Sequence, residues 1–477
     1  MPSSRRLRGE FLKDTGGKAI SPPGFPIASF DAFWMVREVS KMKRLVLLPL
    51  LAATVALAQK TATLPADLSL RQALEIALTN NSTLRTAEAN MERASGKYEQ
   101  VRSNLLPELS VVARQAYLTT NLQGIGIDLP TPSRIQGPFG SMDARVIFSQ
   151  DLLNIASLRS WQSFSSRRDS SRFLVQDARE VVTLNVVGAY LQALHAKATR
   201  DTLTEQTKLA SDLYQITTDR LKRGVASELD ANRAKQKVNS LEQNRQEAEQ
   251  AYVAAKLTLA GLLESNVTAD FEVSDHAAYG SGGTMDKGAS LQAAFATRSD
   301  YRAAEASVRA AEYEVRSIEA TRLPTLSLRA SDGQSGTYPD HNVNTYSVAG
   351  LLEFPIFTSG RIGGEIREKK AALEEATAAL DKNRAQIEAE VLTAISGVEW
   401  ASKEVETSSE NLGLSRQEVD LSRVRFLQGV ADNTEVVNAQ DHLTQADDAS
   451  IRAQYTLGLA RANLARAMGG AEKAYRK

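Results

Sequence analysis

The sequence predicts a mainly α-helical chain with a small β part, laid out twice on one plan. Three observations carry this. Apolar residues recur at helical spacing through very long stretches; Leu158 to Arg223 holds no proline. Four short stretches switch instead to a period of two, the mark of strands with one apolar face. Finally, the stretch Arg220–Ala234 returns 205 residues later as Arg425–Ala439. Arg220 matches Arg425, Gly224-Val225-Ala226 matches Gly429-Val430-Ala431, Asp230 matches Glu435, and Ala234 matches Ala439. Each glycine frees the backbone to end one helix, and Ser227 or Asp432 stands at the N-cap position of the next. Each copy thus reads as a tight helical hairpin.

Residues 1–41 are basic and lack helical or strand periodicity, and are expected to be a mis-annotated extension preceding the true start at Met42. Residues 42–58 read as a signal peptide: Lys43 and Arg44, an apolar run from Leu45 to Leu57, then the small-residue site Ala56-Leu57-Ala58. The run is short for a membrane anchor. Their removal takes nine basic and four acidic residues from 57 of each. The exported chain is left with 48 and 53, a net charge of −5.

The first repeat spans 59–264. Leu70, Leu74, Ala77, Leu78, Leu84, Ala87 and Met91 predict one helix over Leu68–Leu105, ended by Pro107. Leu109, Val111, Ala113 and Tyr117 then alternate with Ser110, Val112, Arg114 and Ala116. After a Gly/Pro/Thr-rich loop over 119–140, Met142, Ala144, Val146 and Phe148 alternate with Asp143, Arg145, Ile147 and Ser149. The long helix from Leu158 carries Leu184, Val187, Leu191, Leu194 and Ala198 at coiled-coil spacing. The Gly224 turn and a helix over 228–263 follow, then a linker or equatorial segment, 265–289.

The second repeat, 290–469, restates the plan before a tail, 470–477. Leu323-Pro324 repeats Leu106-Pro107. Leu326, Leu328 and Ala330 oppose Ser327, Arg329 and Ser331. A polar loop is expected over 332–342, and Tyr346, Val348, Gly350, Leu352 and Phe354 then oppose Thr345, Ser347, Ala349, Leu351 and Glu353. A helix over 362–428 carries Ile387, Val391, Ala394 and Val398, and the Gly429 turn leads to a last helix.

At about 1.5 Å per residue the long helix spans roughly 99 Å, about the summed length of the two shorter helices of its repeat. This predicts two short helices stacked along one long one. Ten-residue strands with one apolar face suit a transmembrane β-barrel. Four strands cannot close one, so the barrel must close between chains. If it does, alternation turns Arg114, Asp143, Arg145, Arg329 and Glu353 toward the lumen.

Balanced charge over 477 residues gives no sign of a nucleic-acid partner. The absence of Cys excludes disulfides, thiol catalysis and a Cys-linked lipid anchor. The four histidines are far apart, and no nucleophile–base constellation appears. We therefore expect no metal, no cofactor and no enzymatic activity.

The ordered set of motifs resembles the TolC-like outer membrane efflux proteins over about residues 67–469. It comprises Leu70-x-x-Ala73-Leu74-x-x-Ala77-Leu78 with Asn80-Asn81, the two Leu-Pro pairs, Phe354-Pro355-Ile356-Phe357-Thr358-Ser359-Gly360-Arg361, and the two glycine turns. The first copy departs at Gln150-Asp151-Leu152-Leu153-Asn154, which lacks the proline. The resemblance implies a homotrimer whose long antiparallel helices form an α-barrel in the periplasm, with four strands per chain in one 12-stranded outer-membrane β-barrel. Implied partners are outer-membrane lipid, a periplasmic adaptor protein and, through it, an inner-membrane pump. Such an export duct passes small molecules, metal ions or proteins. Gly224, Val225, Ala226, Gly429, Val430 and Ala431 correspond to adaptor-docking tip turns. Asp230, Glu435 and Asn438 correspond to the periplasmic aperture, where acidic rings favour cations; for Glu435 the alternative is a solvated helix face. Asn438 stands where some members carry a second acid and Ala431 where some carry a basic residue, which argues against a latched double ring. The competing reading is a soluble periplasmic coiled-coil adaptor or scaffold, to which the four strands would be superfluous.

Overall fold

Pairing of the alternating stretches joins the two halves of the chain in one sheet. The structure, a computed structural model, describes residues 64–121, 126, 135–265, 270–275, 286–337 and 342–476. The extension and signal segments lie outside these, as does much of 265–289. In chain order the elements are β1 (Asp67–Leu68), α1 (Leu70–Asn80), α2 (Ser82–Ser103), β2 (Glu108–Asn121), β3 (Ile135–Leu153), α3 (Ile155–Lys222), α4 (Glu228–Leu262), β4 (Glu272–Val273), α5 (Lys287–Thr297), α6 (Ser299–Ala320), β5 (Thr325–Gly336), β6 (Asn342–Glu353), α7 (Arg361–Leu427), α8 (Asn433–Ala467) and α9 (Ala471–Tyr475). The fold is mainly α.

The four long strands form one antiparallel sheet ordered β2-β3-β5-β6. They run further than the alternation shows. Parts of both expected loops, 119–121, 135–140 and 332–336, are paired strand, because ladder partners persist where Gly, Pro and polar residues weaken the local signal. The register pairs Leu109 with Phe148, Val111 with Val146, and Ala330 with Val348, so these share one face. Val111 and Val348 are among its most exposed apolar side chains. Among the described residues the outer edges of β2 and β6 have no partner strand.

The α3 and α7 helices hold 68 and 67 residues, each about 100 Å long. On one half α2, α3, α6 and α7 lie side by side; on the other the order is α4, α3, α8, α7. The short helices thus stack end to end along the long ones. The α3–α6 seam is lined by small residues, which lets the backbones approach. Ser163 and Ser170 on α3 donate to the Ala310 and Ala303 carbonyls, both at 2.9 Å, and Ser317 on α6 donates to Ala156 at 2.9 Å.

The expected continuous helix over Leu68–Leu105 is instead broken at Asn81, which is extended (φ −61°, ψ 128°). Asn81 caps α2 by accepting from the Thr83 amide at 2.9 Å, and its amide donates to Leu262 at the end of α4 at 3.2 Å. The break lets α2 start where α4 stops. Arg298 occupies the equivalent break between α5 and α6 and donates to the Ala467 carbonyl at the end of α8, 3.3 Å away.

The main core lies at this junction. Val187 and Leu191 of the expected seam are buried there, with Leu184 and Leu194 partly so. Val186 and Tyr190 are buried too, because α3 also carries α1 and the β1–β4 pair. The Tyr190 hydroxyl donates to Leu68 and bonds Asp275, both at 2.9 Å. A second core holds Ile387, Val391 and Ala394. His195 is a packed residue: its ring lies 5.3 Å from that of Tyr455, and burial lowers its pKa. In the tail, α9 is clamped to α3 by a two-point Arg179–Glu472 pair at 2.6 and 2.8 Å.

Candidate functional site

The two hairpin turns share one backbone solution. Gly224 (φ 75°) and Gly429 (φ 77°) take the left-handed conformation that ends each long helix. The Gly224 and Val225 amides donate to Leu221 and Arg220 at 2.8 and 2.9 Å; the Gly429 and Val430 amides donate to Phe426 and Arg425 at 3.1 and 3.0 Å. This is the Schellman pattern twice over. Pinning these amides pushes Val225 and Val430 outward, 63% and 66% exposed, with Ala226 and Ala431 half-buried beside them.

The acids expected at the aperture are engaged within their own tips. Asp230 completes a capping box with Ser227, accepting from its amide at 3.1 Å and its hydroxyl at 2.7 Å. Glu435 takes its amide cap from Asp432 at 3.1 Å and pairs with Arg425 at 2.8 Å. Asn438 is exposed. Glu435→Gln would therefore leave Arg425 unpaired at the tip. We expect the cation preference in single-channel recordings to fall; unchanged selectivity would remove Glu435 from the conduction path.

The tips are also joined to each other through residues that periodicity does not single out. Arg220 donates to the Phe426 carbonyl at 2.7 Å and stacks 4.5 Å above its ring. The buried Asn433 donates to the Asp230 carbonyl at 3.0 Å, and Arg233 to the Thr434 hydroxyl at 3.0 Å. Leu213, Phe426 and Val436 fill the space between. The Arg220/Arg425 repeat match was the one available signal, and it does not say where either guanidinium reaches.

In the sheet, the register sets Arg114 opposite Asp143, and Arg145 pairs with Asp143 at 2.6 Å. Arg329 lies opposite Ser149 and Ala349, and Glu353 opposite Thr325. All five occupy the face opposite Leu109, Val111, Val146 and Val348. Among the described residues no three His, Asp or Glu side chains converge as a metal site, and no helix is long and apolar enough to cross a membrane.

The family described as outer membrane efflux protein matches residues 73–264 and 290–470. The chain is 25% identical over 410 residues to the pyoverdine export outer membrane protein OpmQ of Pseudomonas putida, covering 84% of this chain and 86% of that protein. It is 24% identical over 424 residues to outer membrane protein OprJ of Pseudomonas aeruginosa, covering 85% and 84%. Its fold is similar to that of the outer-membrane channel OprN, with a TM-score of 0.73 at 20% identity over 84% of this chain and 90% of that one. The outer membrane protein VceC of Vibrio cholerae gives 0.72 at 18% identity, covering 84% and 96%. With the match running through both halves of the molecule, the chain belongs to the outer membrane efflux protein family.

Proposed function

We propose that three copies of this chain form an export duct of the outer membrane, with the helices as a periplasmic tube. The observation that carries it is the sheet: four strands, two unpartnered outer edges and one exposed apolar face. Unpaired edges cannot sit in lipid. Because β2 and β6 run in opposite directions, β6 of one copy can meet β2 of the next and keep the ladder antiparallel, giving twelve strands. The charged face then lines the lumen. The family match leaves no ground for the soluble scaffold.

Gly224-Val225-Ala226 and Gly429-Val430-Ala431 are the tips that dock a periplasmic adaptor protein, which links the duct to an inner-membrane pump. The pump supplies the energy. Asp230, Glu435 and Asn438 border the aperture. Relatives are named for pyoverdine export and for toluene and antibiotic efflux, which supports small organic molecules as cargo.

Gly429→Arg tests the docking role. A β-carbon built there meets no atom within 4 Å, so the main cost to folding is the left-handed backbone, about 1–2 kcal/mol. Trimers are expected to form while export in the native host falls sharply. Undiminished export would remove the tip from docking.

A further inference from the structure

The two tips share one backbone and carry opposite charge. Residues 219–237 hold six basic side chains (Arg220, Lys222, Arg223, Arg233, Lys235, Lys237) and three acidic, a net charge of +3. The equivalent stretch 424–442 holds one basic residue, Arg425, and three acidic, a net charge of −2. At the 205-residue offset, Lys222, Arg223, Arg233, Lys235 and Lys237 are replaced by Leu427, Gln428, Asn438, Gln440 and His442. Identical turns did not need this difference, because the caps and amide bonds described above use none of those five side chains.

Part of the excess joins the tips: Lys237 pairs with Asp441, and Arg233 reaches Thr434. The rest faces outward. Lys222 has only the local Asp219 carboxylate, at 3.3 Å. Arg223 and Lys235 are exposed with no carboxylate partner among the described residues; Arg223 rests on the Asp219 carbonyl at 3.2 Å and Lys235 lies 5.3 Å from the Tyr214 ring. In the sequence they stand on either side of the exposed apolar residues Val225 and Leu229. In the second tip Arg425 is already neutralised by Glu435, and the next cation, the exposed Arg423, lies just before the counted stretch.

We infer that the first tip is the docking surface for an acidic helical segment of the periplasmic partner, and that the second tip does not share this preference. This rests on the docking role proposed above. Exposed apolar side chains in a stretch whose cations outnumber its acids, Glu228 included, fit a narrow segment that offers carboxylates around an apolar contact. An anionic membrane surface fits less well: a flat surface meets both tips at once, and the −2 tip directly beside the +3 tip cancels most of the attraction. A single helix can lie on one tip alone. Around a trimer the rim would alternate basic and acidic positions, so six identical partner hairpins would meet two unlike environments.

The test uses the full trimer in detergent and three synthetic antiparallel helical hairpins that differ only in carrying glutamate, glutamine or lysine near the turn. Binding is followed by fluorescence anisotropy. The glutamate hairpin is expected to bind about tenfold tighter than its glutamine twin at low salt, as a few exposed charge contacts allow. The preference should vanish at several times the salt. Arg223→Gln with Lys235→Gln, which installs the second tip's own residues, should erase it, while Gln428→Glu should leave it intact. Equal binding of all three hairpins would overturn the charge preference and leave docking standing. Binding of none would overturn the docking role and the preference with it. First-tip-dependent binding to phosphatidylglycerol vesicles without any hairpin preference would overturn the proposal in favour of a membrane surface.

Discussion

Replacing Arg298 with Met is expected to cost about 3–5 kcal/mol of stability, the range for removing one partner of a buried ion pair. Arg298 sits where α5 breaks into α6 and where α8 ends against them, with its side chain 3% exposed. Its guanidinium reaches Asp300 and Glu390, both at 2.6 Å, and the Ala467 carbonyl. Without it two carboxylates and a helix-end carbonyl lose their partner in a confined space. Burial pushes the Asp300 carboxyl up, but the Arg298 hydrogen bond and charge outweigh it and hold that carboxyl below its ordinary value. The sign follows. A depressed acid stabilises the fold fully above its unfolded pKa, about 3.9, and this is lost as pH falls through the folded value. Asp177 acts oppositely, since burial raises it despite Arg466, so acid relieves rather than weakens that site. The gap between wild type and Arg298→Met should therefore narrow below about pH 4. Thermal unfolding of the detergent-solubilised protein, followed by circular dichroism at neutral and acid pH, measures both. A deficit under about 1 kcal/mol, typical of an exposed pair, would show that the junction does not depend on this charge cluster.

Val111→Arg is expected to block assembly in the membrane, whereas Ser110→Arg on the opposite face of the same strand is tolerated. Val111 is 76% exposed on the single chain. On a soluble sheet such a change would be nearly neutral, within about 0.5 kcal/mol. On the lipid face of a barrel an arginine costs from about 1 kcal/mol near an interface to about 2–4 kcal/mol at the midplane, and a trimer bears it three times. Ser110 shares its face with Arg114, so an added arginine there meets an already charged surface. The yield of protein in separated outer membranes reads the difference. Equal yields would mean that the Val111 face does not meet lipid.

Much of this architecture is legible in the residues. The seam positions Val187, Leu191, Ile387 and Val391 are core, and both glycines end their helices as expected, in the left-handed conformation. The break at Asn81 is hidden in the sequence because Ala77 and Leu84, seven residues apart, keep helical spacing across it. Asn81 can at least be read as a cap, but Arg298 makes no capping bond, and its partners Glu390 and Ala467 lie 92 and 169 residues away. The strands outrun the alternation for a related reason. Asp332 and Gly333 look like loop, yet Tyr346 and Thr345 pair with them. The Arg220–Phe426 contact spans 206 residues and could not be foreseen from spacing. What can be read locally is periodicity and turn chemistry; what escapes is where two distant ends meet.

The most direct test of the shared duct is the mass of the protein extracted by detergent from separated envelope membranes. Three chains per particle are expected, recovered from the outer-membrane fraction. A single chain recovered from the soluble periplasm would contradict it, since the free edges of β2 and β6 would then have no partner copies to close them.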